Sequence, residues 1–449
     1  MSDKKTDEQR LSAAYKPMDD AMVLHPFYRG KIKVLPKCTI RSVDDFAVWY
    51  TPGVAAPCKD IHKNPEKVYE HTSKGNMVAV VSDGTRVLGL GDIGPEAGLP
   101  VMEGKAILFK YLGGVDAFPI CLDTKDPDEF IRTVKILQPS FGGFNLEDIA
   151  KPKCFRILDT LRAECRIPVW HDDQQGTAAV TVAGVINALK IVGKSMGKVR
   201  VCLNGAGASN ISIARLLLAA GVDGDKMILV DRTGGICRTR PGLKESEPVK
   251  YEMASQTNPH NFTGTIAEAL EGADILISLS QPGPDIIKPE WITKMAKDSI
   301  VFACANPIPE IWPWVAKEAG ARVVATGRSD FPNQVNNSLG FPGIFRGTLD
   351  VMATTITDEM CIAAAVELAK TAEDKGIHED YLIPTMDEWE VFPREAAAVG
   401  QKAIEQGVAQ IKMSHQESIE LAETIIGAAR KEIEYLMKEG FIPNAPKGY

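Results

Sequence analysis

A chain of 449 residues, 45% hydrophobic and 24% charged, can bury a large core. Cores rarely grow beyond about 250–300 residues before splitting, so two or three domains are expected. The 51 basic and 59 acidic residues leave a net charge of −8, which argues against an electrostatic reader of nucleic acid. Nine scattered cysteines without a C-x-x-C spacing argue against a disulfide scaffold and a thiolate zinc site, and point to a reduced, cytoplasmic setting.

The opening stretch "MSDKKTDEQRLSAAYKP" mixes acids with bases and lacks an apolar run, so no secretory or organellar leader is expected. No charge-free apolar stretch reaches the roughly 18 residues of a membrane helix, and no membrane partner is expected. In "WYTPGVAAPCKDI", Tyr50 precedes Thr51-Pro52-Gly53, a turn that would fix its ring; a core tyrosine is the competing reading. The apolar runs "NMVAVVSDG" and "GVDAFPICLDT", separated by Gly/Pro-rich turns, predict an α/β unit reaching to about His171. Within it Arg86 follows a turn, and Lys105 is expected to open a helix. A buried lysine of lowered pKa can take a proton from a hydroxyl and a tyrosine can return one, although a surface lysine fits the pattern equally.

"FGGFNLEDIAKPKCFRIL" places Glu147 and Asp148 at the end of an extended run, with Pro152 starting a helix; "RIPVWHDD" ends likewise in Asp172 and Asp173. Each pair alone can be explained as first-turn acids complementing a helix dipole, or as a cap by Asp173 on a helix beginning near Gly176. Two acidic strand ends facing one crevice would instead supply hard oxygen ligands for Mg²⁺ or Mn²⁺. No H-x-x-x-H or C-x-x-C arrangement competes for a metal.

From about Lys198 to Gly327, "KVRVCLNG", "KMILVD", "GADILISLS", "DSIVFACANP" and "ARVVATG" alternate with helical stretches, predicting a doubly wound parallel sheet. After the first strand come Gly205-Ala206-Gly207 and a helix starting with Ala208 and Ser209; the second ends at Asp231. Glycines permit a tight turn and close approach of a pyrophosphate, the helix N-terminus favours its charge, and the acid can receive ribose hydroxyls. Asn210 replaces the third glycine of G-x-G-x-x-G and is expected either to loosen helix packing or to touch a phosphate. Asp231 favours NAD, whereas Arg232, Arg238 and Arg240 could meet the 2′-phosphate of NADP. Asn306 in "CANPIPEI" and Asn336-Asn337 in "FPNQVNNSLGFPGIFRG" fall near carboxyl ends of strands, where ligands of open sheets bind; turn-forming asparagines are the alternative. Beyond Leu349 apolar residues recur at three and four spacing, predicting helices.

In this order "YTPGVA", "DGTRVLGLGDIGP", "EGKA", "FNLEDI", "HDDQQGTAAV", "NGAGA", "ANPIPEI" and "NNSLGFPG" resemble the malic enzymes, especially their shorter microbial-type subunits. The resemblance implies oxidative decarboxylation of (S)-malate to pyruvate and CO₂ with NAD or NADP and a divalent cation. It implies that Lys105 is the general base on the C2 hydroxyl and Tyr50 the acid that protonates C3. Glu147, Asp148 and Asp173 would bind Mg²⁺ or Mn²⁺, with Asp172 the acid beside them. Arg86, Asn306 and Asn337 would orient malate and the nicotinamide. Gly205, Ala206, Gly207, Ala208, Ser209, Asn210, Asp231, Arg232 and Asn306 would line the dinucleotide. The implied fold is α/β: a substrate, metal and dimerisation domain over residues 1–172, a doubly wound Rossmann-type NAD(P)-binding domain over 173–345, and C-terminal helices over 346–449 packing back on both. A homodimer is expected. A malolactic enzyme on the same fold, releasing lactate, is the nearest rival. A silent metabolite-binding regulator is a rival of another class, disfavoured because Tyr50, Lys105 and the acids are intact.

Overall fold

The computed structural model describes the backbone of residues 7–449 and the side chains from residue 15 onward. The first half is organised by a parallel sheet of order β2-β1-β3-β4, formed by β1 (Met77–Ser82), β2 (Asp116–Cys121), β3 (Gly143–Leu146) and β4 (Val169–His171). The "VAVV" run of β1 is buried on both faces, as a parallel strand covered on both sides requires. Taking helices of ten residues or more, α1 (Asp7–Tyr28) precedes the sheet, and α2 (Pro95–Gly113), α3 (Pro127–Leu137) and α4 (Lys153–Glu164) make its crossovers. Lys105 lies in the middle of α2 and does not open a helix, because Pro95 starts this one from Gly94.

β4 runs without a loop into a π-helical turn, Asp172–Gly176, and then into α5 (Thr177–Val192). A Cβ at Gly176 would overlap the Asp172 carboxylate, so the widened turn demands glycine there. Asp172–Val192 is long and apolar enough to cross a bilayer by composition, but most of it is buried in this chain's own core. The second sheet has order β10-β9-β8-β5-β6-β7: β5 (Val201–Asn204), β6 (Met227–Asp231), β7 (Gly234–Gly235), β8 (Ile275–Ser278), β9 (Ser299–Ala303) and β10 (Ala321–Thr326). Its five long strands are parallel, as expected; the two-residue β7 is an unforeseen antiparallel edge on β6.

Alternate side chains of this sheet enter two cores. Val201, Leu203, Ile275, Ile277, Ile300 and Phe302 join the main cluster shared with the first sheet. Cys202, Leu276, Val301 and Val324 face a smaller cluster on the other side. The strand order reverses between β5 and β8, the point outside the carboxyl ends where ligands of open α/β sheets bind. Helix α6 (Ala208–Ala219) starts there. Helices α7 (Phe341–Asp350), α8 (Asp358–Lys375), α9 (Val391–Glu405) and α10 (His415–Lys438) brace both halves: α7 and α10 pack on α2, and α8 packs on α5.

Candidate active site

Leu146 of β3 pairs in register with His171 of β4. The residues that follow each strand therefore emerge at one level of the carboxyl edge: Glu147 and Asp148 from one, Asp172 and Asp173 from the other. Asp148 adopts a left-handed φ of 55°, a conformation that Asp tolerates better than most side chains. There its N–H donates to Asp173 Oδ2 at 2.9 Å, and its carbonyl receives the Arg86 N–H at 3.0 Å. Glu147, Asp148 and Asp173 each present a carboxylate oxygen within 4.8 Å of the others.

Three such acids repel. Burial, followed by the charge of Asp173, pushes Asp148 up to about 8; burial also raises Glu147 well above the usual carboxylate range, against the pull of Lys105. Asp148 Oδ2 is buried without a hydrogen-bond partner. A hard, oxygen-only donor set with an unpartnered buried carboxylate oxygen fits Mg²⁺ or Mn²⁺.

The neighbouring acids of "HDD" diverge. Asp172 turns inward, is fully buried, accepts Trp170 Nε1–H at 3.1 Å and pairs with Lys105. Lys105 Nζ also lies 3.2 Å from Glu147 Oε1, 3.3 Å from Asn337 Oδ1 and 4.6 Å from the centre of the Phe341 ring. Burial alone would lower its pKa, yet the charges of Asp172 and Glu147 reverse that and hold it raised. The expectation of a lysine whose pKa burial has lowered is corrected in this respect: the acids around it keep its proton. Asn337 opens the short turn Asn337–Leu339, which Asn336 caps by accepting the Ser338 N–H at 3.0 Å.

The glycine turn joins this cluster directly. Gly205 has φ 99°, and a Cβ there would meet Leu279 O at 2.7 Å, so strand and turn approach only through glycine. Gly207 precedes α6, which begins at Ala208, and Ser209 Oγ–H donates to the Asp173 carbonyl at 2.8 Å. Lys151 Nζ, unforeseen, reaches Ala206 O at 3.3 Å. Asn210 does not loosen the packing: it is fully buried, and its Nδ2 donates to the carbonyls of Asn204 and Gly205 at 2.8 and 3.0 Å.

Asp231 Oδ1 accepts the Thr233 N–H and hydroxyl, while Oδ2 receives Arg240 at 2.8 Å and Lys250 at 2.9 Å. Burial pushes against ionisation, but the hydrogen bonds from Arg240 and Lys250 hold this carboxyl far below its usual range. Lys250 lies on a separate helix, Pro248–Gln256, and nothing in the local sequence marked it. Arg232 and Arg238 are exposed.

Three expected residues make no hydrogen bond or ion pair with Lys105. Tyr50 is 71% exposed, so the competing reading of a core tyrosine does not hold. Among the described residues its hydroxyl has no hydrogen-bond partner. Arg86 is exposed and donates to the Leu88 carbonyl. Asn306 is exposed after β9, its amide against Gly327 and its carbonyl facing Gly89 of the other half.

Residues 29–162 match the malic enzyme N-terminal domain, and residues 174–404 match the malic enzyme NAD binding domain. The chain belongs to the malic enzyme family. It is 52% identical over 412 residues to a bifunctional malic/malolactic enzyme of Bacillus subtilis, covering 91% of this chain and 99% of that one. It is 52% identical over 381 residues to an NAD-dependent malic enzyme of Geobacillus stearothermophilus, covering 85% of this chain and 78% of that one. The crystal structure of Entamoeba histolytica malic enzyme matches with a TM-score of 0.95 at 49% identity, covering 99% of this chain and 94% of that one. The two matches leave residues 163–173 between them, a stretch that holds β4 and both Asp172 and Asp173.

Proposed function

We propose that the chain oxidises (S)-malate and releases pyruvate and CO₂, reducing NAD or NADP, with a divalent cation. The observation that carries this is the convergence of Lys105 with two kinds of acid: one that pairs with it, Asp172, and three within 4.8 Å that fit Mg²⁺ or Mn²⁺. Glu147, Asp148 and Asp173 would hold the cation. When bound, the cation supplies a Lewis acid near the malate C2 oxygen and the dinucleotide supplies the hydride acceptor.

Lys105 Nζ takes the proton of the C2 hydroxyl as the C2 hydride leaves. Its own proton is held by the carboxylates around it, so it serves as a base once their charge is compensated. Asn337, bonded to Lys105 Nζ, orients the substrate oxygen beside it. Breaking C3–C4 expels CO₂ and leaves the electron pair for C3, where Tyr50 delivers a proton. Arg86 and Asn306 bind the malate carboxylates and the nicotinamide from the two walls of the crevice. Gly205, Ala206, Gly207, Ala208, Ser209 and Asn210 form or support the pyrophosphate turn, with Asp231 and Arg232 at the adenosine ribose. On this reading residues 1–172 carry the acid, the base and two of the three metal ligands, 173–345 the third ligand, Asp173, and the dinucleotide, and 346–449 the brace.

The exposure of Tyr50 supports a homodimer in which each Tyr50 serves the partner's Lys105. The arm around it exposes Val34, Val43, Phe46, Val48 and Trp49, apolar surface that a second copy would cover. Reduction of NAD⁺ and NADP⁺ is measured side by side with malate and Mn²⁺, with pyruvate and lactate assayed together. Pyruvate in step with reduced cofactor is the expected outcome; failure of malate and metal together to reduce either cofactor sinks the reading. The 52% identity to an enzyme named for both malic and malolactic activities favours a second reading, lactate formation without net reduced cofactor, which the same assay separates.

A further inference from the structure

One buried carboxylate that the chemistry above leaves unused joins the loop carrying Asn306 to the serines beside the Gly205 turn. Glu310, in the "CANPIPEI" loop, is completely buried. Its Oε1 accepts the Ser278 hydroxyl at 2.8 Å, the Ser280 N–H at 2.9 Å and the Ser280 hydroxyl at 3.3 Å. Its Oε2 accepts the Ala305 N–H at 3.0 Å, one residue before Asn306. Ser278 ends β8 and Ala305 follows β9, so the carboxylate spans the ends of two adjacent strands.

The hydrogen bonds continue back to the glycine turn in a single direction. Asn204, at the end of β5, donates its Nδ2 to Ser278 Oγ at 2.9 Å and to Ser280 Oγ at 3.2 Å. Asn210 donates in turn to the carbonyls of Asn204 and Gly205. The side-chain links from Asn204 through the serines point toward Glu310, where the series must end on an acceptor. A carboxylate accepts all of these bonds, whereas an amide in its place turns a donor toward an N–H. Burial raises the Glu310 carboxyl, and the donors from Ser280, Ala305 and Ser278 oppose that rise.

We propose that Glu310 is a positioning residue for hydride transfer, holding Asn306 at a set distance from the Gly205 turn. It does so through Ala305 on one side and the Ser278/Ser280, Asn204 and Asn210 series on the other. This rests on the proposed placement of the nicotinamide beside Asn306 and of the pyrophosphate at the glycine turn. A dinucleotide touches both, so a carboxylate joining them presets the donor–acceptor geometry before the ligand arrives.

Glu310→Gln keeps the size of the side chain and turns one of its two accepting oxygens into a donor. In the full-length protein with malate and Mn²⁺, kcat is expected to fall about tenfold or more, while KM for malate changes less than about twofold. The deuterium isotope effect on kcat with malate labelled at C2 rises, because hydride transfer becomes slower than its neighbouring steps. Glu310→Asp, which keeps an acceptor on a shorter stem, recovers part of the rate. In an Asn306→Ala background Glu310→Gln costs little more, since it acts through that residue.

Ser280→Ala, deleting one hydroxyl and no N–H, replaces Glu310→Gln if the latter does not fold; a smaller fall in kcat with the same rise in isotope effect is then expected. Unchanged kcat and isotope effect in the folded variant overturn the proposal, as does a fully additive loss with Asn306→Ala. If the unmodified protein reduces neither cofactor, the functional reading fails instead. Energy transfer from tryptophan to bound NADH or NADPH then decides: weaker binding in the variant supports the positioning role, and unchanged binding rejects it.

Discussion

Lys105 and Tyr50, the proposed base and acid of one proton relay, occupy opposite surroundings. Lys105 is 8% exposed, on a helix packed by α7 and α10, and is held by Asp172, Glu147 and Asn337. Tyr50 is 71% exposed on an arm whose large apolar side chains also face outward. The base is positioned by interactions within one chain, because two parallel strands in register deliver the acids that surround it. Among the described residues the Tyr50 hydroxyl has no such partner, so in the proposed relay its geometry comes from whatever covers the surface around it.

The largest effect that can break this contrast is at the base. Lys105→Ala is expected to cut kcat for malate oxidation by about 10²–10⁴ while dinucleotide binding persists; a near-normal kcat removes the lysine from the mechanism. Tyr50→Phe is expected to cost about 10²-fold. Mixing that variant with Lys105→Ala and allowing subunits to exchange sharpens the contrast. If Tyr50 serves the partner, one site of each mixed dimer regains both groups and activity reappears. No recovery after demonstrated exchange places Tyr50 on its own subunit's site.

Asp173→Asn is expected to weaken Mn²⁺ by at least about 10-fold, judged by the activation constant and by the metal-induced shift in Tm. Unchanged metal dependence returns Asp173 to a capping role. The smallest effect is on stability. Asp148 is pushed up to about 8 in the folded chain from an ordinary 3.8, so between those values the folded state holds a proton that the unfolded state has released. Stability from this group is therefore greatest at low pH and is lost as pH rises through the window. The cation competes with that proton, so the rise in Tm on adding Mn²⁺ should be larger at the top of the window than in its middle. At about a hundred times its Kd, the cation adds about 2.7 kcal/mol. A Tm gain independent of pH contradicts the buried-carboxylate account.

Much of this was legible locally. The β-branched runs marked the five long strands of the second sheet, and the glycine turn stood where strand and helix meet. The acidic pairs were legible as strand ends because "VW" and "FN" precede them. What local pattern missed was direction. Asp172 and Asp173 are sequence neighbours with opposite tasks, and the π-helical turn that parts them depends on Gly176 fitting against the Asp172 carboxylate. Asn210 reads as a defect in a glycine motif, yet its amide stitches the turn to its own strand. Lys250 carries no signal because its partner Asp231 lies on another element, and the role of Glu310, though it stands in "CANPIPEI", is hidden because Ser278 and Ser280 reach it from another strand end.

The sequence by itself determined the residue types: hard acids, a lysine, a tyrosine, a glycine turn, and apolar runs periodic enough to form two parallel sheets. Those follow from side-chain chemistry and from the two- and 3.6-residue repeats of strand and helix. Only the tertiary structure decided which groups share a charge. The register of Leu146 with His171 brings four carboxylates to one edge, and the acids then raise the pKa of a lysine that burial alone would have lowered. Electrostatic energy depends on distances through space, which chain order does not specify.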